Sequence, residues 1–154
     1  MSDNLSLLTT STSTQIASTQ NILDQININV PGVTPIYQQE SLTLLFEDGL
    51  FLYTWGLKED ALTTLQNVGL QLQPYQDKIN ISVIGFTDQL ERNHLDFPFM
   101  RANAVIRYLV DNTQLPEQIF SILPAGNLPP PYPNDSTENQ FQNRTVIMII
   151  KPAE

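Results

Sequence analysis

Two stretches of the chain carry apolar residues at the spacing of one helix face. In residues 57–72 the apolar positions recur every three or four residues, and Pro74 follows them. Residues 99–110 show the same spacing directly after Pro98, and proline is favoured in the first turn of a helix. The pattern therefore predicts two helices, each with an apolar face that needs a partner.

Other stretches have the composition of strands. Residues 42–47 place Leu, Leu and Phe at alternate positions, and Asp48-Gly49 supplies a turn before the apolar residues 50–53. This region predicts a strand or a hairpin. Short apolar runs, mostly β-branched, predict three further strands, over residues 79–85, 119–123 and 146–150.

The order of these elements predicts the fold class. A strand, helix, strand, helix, strand, long loop and strand in succession indicate an α/β (α+β) sandwich of the form β-α-β-α-β-β. In such a fold both helices pack on one face of a mixed sheet, because each helix has only one apolar face to bury.

The N-terminal part has a different composition. Residues 1–39 contain no Lys or Arg, and residues 9–19 are mostly Ser, Thr and Gln, so they cannot bury enough apolar surface to fold alone. This predicts a linker or arm over residues 1–39 and one domain over residues 40–154. Four apolar residues in the arm are spaced to allow a short amphipathic helix that docks on the domain or a partner: Ile16, Ile22, Leu23 and Ile26.

Prolines mark two irregular regions. Pro31 and Pro35, with Gly32 between them, interrupt the end of the arm. Five of the eleven prolines lie between Pro124 and Pro133. They predict a stiff, extended loop before the last strand.

Composition excludes several classes of function. The net charge of −9, from 16 acidic and 7 basic side chains, repels phosphate and makes nucleic acid and anionic membranes poor partners. The absence of cysteine excludes disulfides, thiolate metal sites and cysteine nucleophiles. No apolar run approaches the roughly 18 residues of a membrane span, and the start lacks a secretory signal. We expect either a cytoplasmic protein or a fragment without its targeting and anchoring parts.

Three separated segments resemble one family. The segment ISVIGFTD at residues 81–88 resembles a strand followed by the motif G-x-T-D, and RANAVIRYL at residues 101–109 resembles the helix motif R-A-x-x-V-x-x-Y-L. The segment QNRTVI at residues 142–147 resembles a closing N-R-R-V strand, and Gly126 with the following prolines resembles a G-x-x-x-P loop. In this order they resemble the OmpA-like peptidoglycan-binding domain of OmpA, Pal and MotB proteins, over about residues 40–151.

The resemblance implies a function without catalysis. An OmpA-like domain anchors an envelope protein to the cell wall by binding the diaminopimelate of the peptidoglycan stem peptide, which implies a periplasmic location. It implies no enzymatic activity, cofactor or metal, and it leaves open protein partners in an envelope complex and a homodimer.

The resemblance also assigns residue roles. Asp88 matches the acid that accepts hydrogen bonds from the ligand ammonium, and Arg101 matches the guanidinium that holds its carboxylate in a two-bond fork. The start of the helix adds favourable partial charge for that carboxylate. The supporting ligand-binding residues are Thr87, Asn143 and Arg144, with Asn93 and His94 in the intervening loop.

The segment between the two main residues departs from the family pattern. The interval from Asp88 to Arg101 is shorter than is common in the family, and Pro98 stands where a hydroxyl cap is usual. Phe86 stands where His or Tyr is common, and Thr145 replaces the second Arg of the closing motif. These departures favour an alternative function, an OmpA-like protein-interaction domain of a secretion or stator complex that has lost or weakened wall binding.

Each candidate residue also has a purely structural interpretation. Asp88 is a candidate helix cap or a partner of Arg101 without any ligand, and Arg144 could neutralise a buried carboxylate. Glu91 and Asp96 are interpreted as solvated loop charges. His94 is the single histidine and has no nucleophile motif beside it, so a hydrolase built on Asp88 and His94 is the least favoured alternative.

Overall fold

The computed structural model describes residues 22–153 and contains a five-stranded sheet with helices packed against it. The strands are β1 (Val33–Tyr37), β2 (Leu42–Phe46), β3 (Ile79–Gly85), β4 (Phe120–Ile122) and β5 (Val146–Pro152). The helices are α1 (Glu59–Leu72), α2 (Phe97–Thr113) and α3 (Thr137–Gln142), and three short 3-10 turns cover Gln73–Lys78, Gln89–Glu91 and Glu117–Ile119.

The sheet is mixed, as predicted. Its order is β1-β2-β5-β3-β4, with antiparallel pairing throughout except between β3 and β4. Parallel neighbours need a crossover connection, and α2 supplies it between β3 and β4. The C-terminal ends of β3 and β4 therefore lie at the same edge of the sheet.

One face of the sheet is buried. In β3, Ile79, Ile81 and Val83 are fully buried, whereas Asn80 is exposed and Ser82 only partly covered. The buried face packs against the apolar stripes of the two long helices, which include Leu65 and Val68 of α1 and Val105 and Leu109 of α2. This arrangement confirms the predicted fold class, with the helices on one face of the sheet.

The domain begins earlier than the predicted boundary at residue 40. Residues 22–25 form a helical turn, and Leu23, Ile26, Ile28 and Val30 belong to the hydrophobic core. The hydroxyl of Tyr75 also donates to the carbonyl of Gln25 at 2.9 Å. The arm therefore docks on the domain from residue 22 onward, and the part over residues 1–21, with Ile16, lies outside the described residues.

Strand β1 is absent from the prediction because of its proline. Pro35 pairs with Leu44 in the middle of β1, where a missing backbone N–H would normally break a sheet. β1 is the first strand of the sheet order and has a neighbour on one side only. A proline is tolerated on such an edge strand.

The interpretation of residues 50–53 as a strand is wrong. They form a loop whose single ladder contact is an isolated bridge between Phe51 and Leu57. The hairpin of this region lies before them, between β1 and β2.

The sequence pattern does not predict the short helix α3. Ser136 caps this helix by accepting from the Asn139 backbone N–H at 3.1 Å.

Residues 22–153 contain neither a membrane-spanning helix nor a cluster of metal ligands. No helix among them is long and apolar enough to cross a membrane. In that same part of the chain, no three His, Asp or Glu side chains are grouped as metal ligands would be.

Candidate functional site

A groove opens where the parallel strands β3 and β4 end. Ligands of open α/β sheets commonly bind at the C-terminal ends of parallel strands, because the loops that follow neighbouring strands diverge there. The groove has a volume of about 470 Å³. It is lined by residues from the loop after β3, the start of α2 and the loop after β4: Gly85, Phe86, Thr87, Asp88, Gln89, Arg92, Pro98, Ala125, Leu128, Pro130 and Asn134.

Gly85 allows α2 to begin against the end of β3. A Cβ atom at this position would overlap the backbone carbonyl of Pro98, so only glycine permits the close approach. Because Pro98 is the second residue of α2, the contact fixes the first turn of that helix beside the groove. The glycine of the G-x-T-D segment thus positions the helix that carries Arg101.

Asp88 caps the 3-10 turn that follows β3. Its Oδ1 accepts from the backbone N–H of Glu91 at 2.8 Å, and the backbone N–H of Asp88 donates to Oε1 of Glu91 at 3.1 Å. This reciprocal pair is a capping box. Asp88 also accepts from Nε of Arg144 at 2.7 Å through Oδ2, and its side chain is 0% exposed.

Arg101 is buried and uses all five of its N–H donors within the protein. Its two Nη atoms donate to the two carboxylate oxygens of Glu91 at 2.7 and 2.6 Å. Nη1 also donates to the Phe86 carbonyl at 3.0 Å, Nη2 to the Tyr53 carbonyl and Nε to the Thr54 carbonyl, both at 2.6 Å. A guanidinium has five N–H groups, so none is left for a ligand.

Glu91 is therefore a central residue of the site, and its interpretation as a solvated loop charge is wrong. It is 8% exposed and forms the two-bond fork with Arg101 that the resemblance reserves for a ligand carboxylate. Asp96, in contrast, is exposed. Sequence offered one signal for Glu91: an acid three residues after Asp88 fits the spacing of a capping box.

Arg144 joins the second ion pair to the rest of the protein. Besides Asp88, it donates through Nη1 to the carbonyl of Leu52, and its Nε lies 3.9 Å from Oε2 of Glu91. Its guanidinium lies over the ring of Phe141 at 4.5 Å from the ring centroid. Arg144 thus neutralises a buried carboxylate, as its structural interpretation predicts.

Two carboxylates and two guanidiniums therefore form one buried network of zero net charge. The pairs are Asp88 with Arg144 and Glu91 with Arg101, and the 3.9 Å contact links them. Burying charges costs free energy that the partners must offset, so loss of any single member leaves an uncompensated charge. The network brings Asp88, Arg101 and Arg144 together, although Asp88 and Arg101 do not pair with each other.

The other predicted residues lie in different places. Thr87 lines the groove and is half-buried. Asn93 and His94 are exposed and absent from the groove wall, and the His94 ring stacks on Phe97 at 4.3 Å between centroids. His94 shares no hydrogen bond with Asp88.

Asn143 is buried and holds the loop that forms the far wall. Its side-chain amide donates to the carbonyl of Tyr132 and to Asn134, at 2.8 and 2.9 Å, and its Oδ1 accepts from the Tyr132 backbone N–H at 3.0 Å. Asn143 supports the groove because Asn134 lies in its wall.

Burial raises the pKa of the Tyr132 phenol above 10.0, and the nearby Glu47 and Asp48 raise it further.

Comparisons with known proteins give the fold independently. No family model matches the chain. Motility protein B of Helicobacter pylori strain J99 is 28% identical over 110 residues, which cover 68% of this chain and 41% of that protein. The same protein of strain 26695 is 28% identical over 109 residues. The chain thus spans about two fifths of the length of the curated relatives it matches.

Solved structures match a larger share of the chain. A periplasmic domain of Helicobacter pylori MotB has a TM-score of 0.69 and 20% identity, covering 84% of this chain and 85% of that one. The cell wall anchor of the type VI secretion system (T6SS) from Pseudomonas aeruginosa has a TM-score of 0.63 and 17% identity, covering 91% and 96%. At these identities the likeness confirms the predicted fold.

Proposed function

We propose that this domain, which has the OmpA-like fold, is a non-catalytic periplasmic module that anchors an envelope protein or complex to peptidoglycan. One observation carries the proposal: a groove at the ends of β3 and β4 has Thr87 and Asp88 in its wall. The buried Arg144 pairs with Asp88, and the buried Arg101 is connected to Asp88 through Glu91. Proteins of the same fold include a periplasmic motility domain and a cell wall anchor.

The ligand we propose is the stem peptide, held chiefly at its diaminopimelate residue. That residue carries ammonium and carboxylate groups, so it needs an acceptor and a cationic donor at short range. Each oxygen of Asp88 accepts one hydrogen bond from the protein, and a carboxylate has about four acceptor sites, so capacity for an ammonium remains. The Asp88 side chain is covered in this structure, so the ammonium reaches it through a local rearrangement of the groove wall that leaves the Glu91–Arg101 pair intact.

The groove also supplies apolar walls for the stem of the ligand. Pro98, Leu128 and Pro130 line it beside the polar residues. A binding site with apolar walls and a few placed polar groups is typical for small ligands. As the complex that the domain serves, we propose a stator-like or secretion-system assembly, because similar structures include a periplasmic domain of MotB and the cell wall anchor of a T6SS.

A second candidate function is supported by the closure of the ion-pair network. The side chains of Asp88 and Arg101 are both 0% exposed, and every Arg101 donor is used internally. A domain of this kind could assemble an envelope complex with little or no affinity for the wall. The two functions differ in one measurable property, which is binding to peptidoglycan.

Sedimentation with purified peptidoglycan tests the proposal. We expect the wild-type domain to sediment with the wall, soluble meso-diaminopimelate to compete, and Thr87→Val to weaken binding because it removes a hydroxyl from the groove. Asp88→Asn should weaken it by about ten-fold or more through loss of a charged acceptor. Asp96→Asn, in the same loop but exposed, is the matched control and should bind as the wild type does.

The outcomes separate the candidates. A wild-type domain that stays in the supernatant contradicts wall anchoring and favours the assembly function. If the domain sediments with the wall but meso-diaminopimelate does not compete, wall binding is supported and diaminopimelate is not the group that is recognised. Because Asp88 is also structural, thermal unfolding of each variant must show that it is folded at the assay temperature.

A further inference from the structure

Arg92 places an unused guanidinium in the groove. It lies in the groove wall with Asp88 and is exposed to solvent. Within residues 22–153, its side chain takes part in none of the hydrogen bonds or ion pairs. Its five donors are therefore available to a ligand without any rearrangement of those residues.

Arg101 is in the opposite condition. A ligand carboxylate could reach it only by displacing Glu91, whose carboxylate already fills the guanidinium fork at 2.6 and 2.7 Å. Displacement would leave Glu91 buried without its partner, and an unpaired buried charge is strongly unfavourable. The same displacement would also break the capping box with Asp88.

We propose that Arg92, and not Arg101, holds the carboxylate of the bound peptide, and that Glu91 determines this choice by occupying Arg101. This inference rests on the proposed function and deepens it. Asp88 and Arg92 lie four positions apart and flank the Gln89–Glu91 turn, so an acceptor and a cation line one groove. The pair fits a ligand with adjacent ammonium and carboxylate groups, which is an amino-acid end of a peptide.

The test compares two arginines and one carboxylate. Arg92→Gln removes the proposed anchor, and Arg107→Gln is the matched control because Arg107 lies outside the groove wall and forms a solvent-exposed pair with Glu117. Glu91→Gln weakens the internal partner of Arg101 at constant side-chain size. Affinity for meso-diaminopimelate is measured by NMR titration, with the Nε–Hε signals of Arg92 and Arg101 as site-resolved readouts, alongside sedimentation with peptidoglycan.

We expect Arg92→Gln to weaken affinity by about ten-fold, as loss of a charge-assisted hydrogen bond does. Arg107→Gln should change affinity by less than about two-fold, since exposed pairs contribute little. Meso-diaminopimelate should shift the Arg92 signal and leave that of Arg101 in place. Glu91→Gln should not tighten binding.

Two results would overturn the inference. One is equal affinity of Arg92→Gln and wild type, and the other is a shifted Arg101 signal with tighter binding in Glu91→Gln, which would return the carboxylate to Arg101. Failure of the wild type to sediment, with the Arg92 signal still shifted by meso-diaminopimelate, overturns wall anchoring and retains the inference. If the wild type does not sediment with peptidoglycan and meso-diaminopimelate does not shift the Arg92 signal, both wall anchoring and the inference are overturned.

Discussion

The buried pair between Glu91 and Arg101 predicts a large and non-additive effect on stability. The perturbation is a double-mutant cycle made of Arg101→Met, Glu91→Gln and the combined variant. Arg101→Met keeps much of the side-chain volume and removes the charge with all five donated hydrogen bonds. It leaves the Glu91 carboxylate, which is 8% exposed, without its partner.

The magnitude follows from burial. Removing one member of a buried ion pair costs about 3–5 kcal/mol, because the remaining charge is desolvated and unpaired. Arg101 is 0% exposed, so Arg101→Met should fall in the upper part of that range. The double variant removes both charges and should cost less than the sum of the single variants, with a coupling free energy of about 2 kcal/mol.

Urea unfolding at about 15 °C is the assay, since most domains are near their maximum stability there. With an m-value of about 2 kcal/mol/M, a loss of about 4 kcal/mol moves the midpoint down by about 2 M. If Arg101→Met does not fold, Arg101→Lys keeps the charge and loses the fork, so it provides a milder member of the same cycle.

Small or additive unfolding energies would contradict a buried, mutually dependent pair. A cost below about 1 kcal/mol for Arg101→Met would mean that the network is hydrated like a surface pair. Additive single variants would mean that Glu91 and Arg101 do not depend on each other, which contradicts the two-bond geometry. Either result would also remove the reason for assigning the ligand carboxylate to Arg92.

Three further predictions concern the scaffold. Gly85→Ala should destabilise the domain by about 1–3 kcal/mol or more, because the added Cβ meets the Pro98 carbonyl. Gly56→Ala is the control, since a Cβ there has open space and the variant should be close to neutral. The urea unfolding midpoints of the two variants are compared with that of the wild type. Leu23→Ala should cost about 2–5 kcal/mol by the same assay, because Leu23 is 2% exposed in the core. In the folded protein the pKa of the Tyr132 phenol is raised above 10.0. Its contribution to the stability of the domain is therefore complete below pH 10 and is lost as the pH rises through the folded pKa. Tyr132→Phe should lose stability less steeply over that pH range, measured by urea unfolding at a series of pH values.

Each of these has a contrary outcome. Equal midpoints for the two glycine variants would mean that α2 can move away from β3 without cost. A Leu23→Ala midpoint no lower than that of the exposed Leu90→Ala would restore the domain boundary at residue 40. Parallel pH profiles of wild type and Tyr132→Phe would show that the phenol has the same pKa in both states.

The sequence by itself determined the main elements and the fold. Helices α1 and α2 and strand β2 follow from local periodicity, because burial of one face leaves a repeating apolar pattern in the chain. Strands β3, β4 and β5 follow from short apolar runs, mostly β-branched. The three motif segments identified the OmpA-like fold, since their order places G-x-T-D at a strand end beside the helix that carries Arg101. These features depend on residues that are close in sequence, or on short motifs whose order along the chain is typical of the fold.

Only the tertiary structure decided which charged residues are buried and with whom they pair. Glu91 and Asp96 lie in the same loop and look alike in sequence, yet Glu91 is buried and Asp96 exposed. The difference arises because Glu91 meets the guanidinium of Arg101, which also donates to the carbonyls of Tyr53 and Thr54 from a distant part of the chain. Pairing between charges depends on their distance in space, and no local pattern records it.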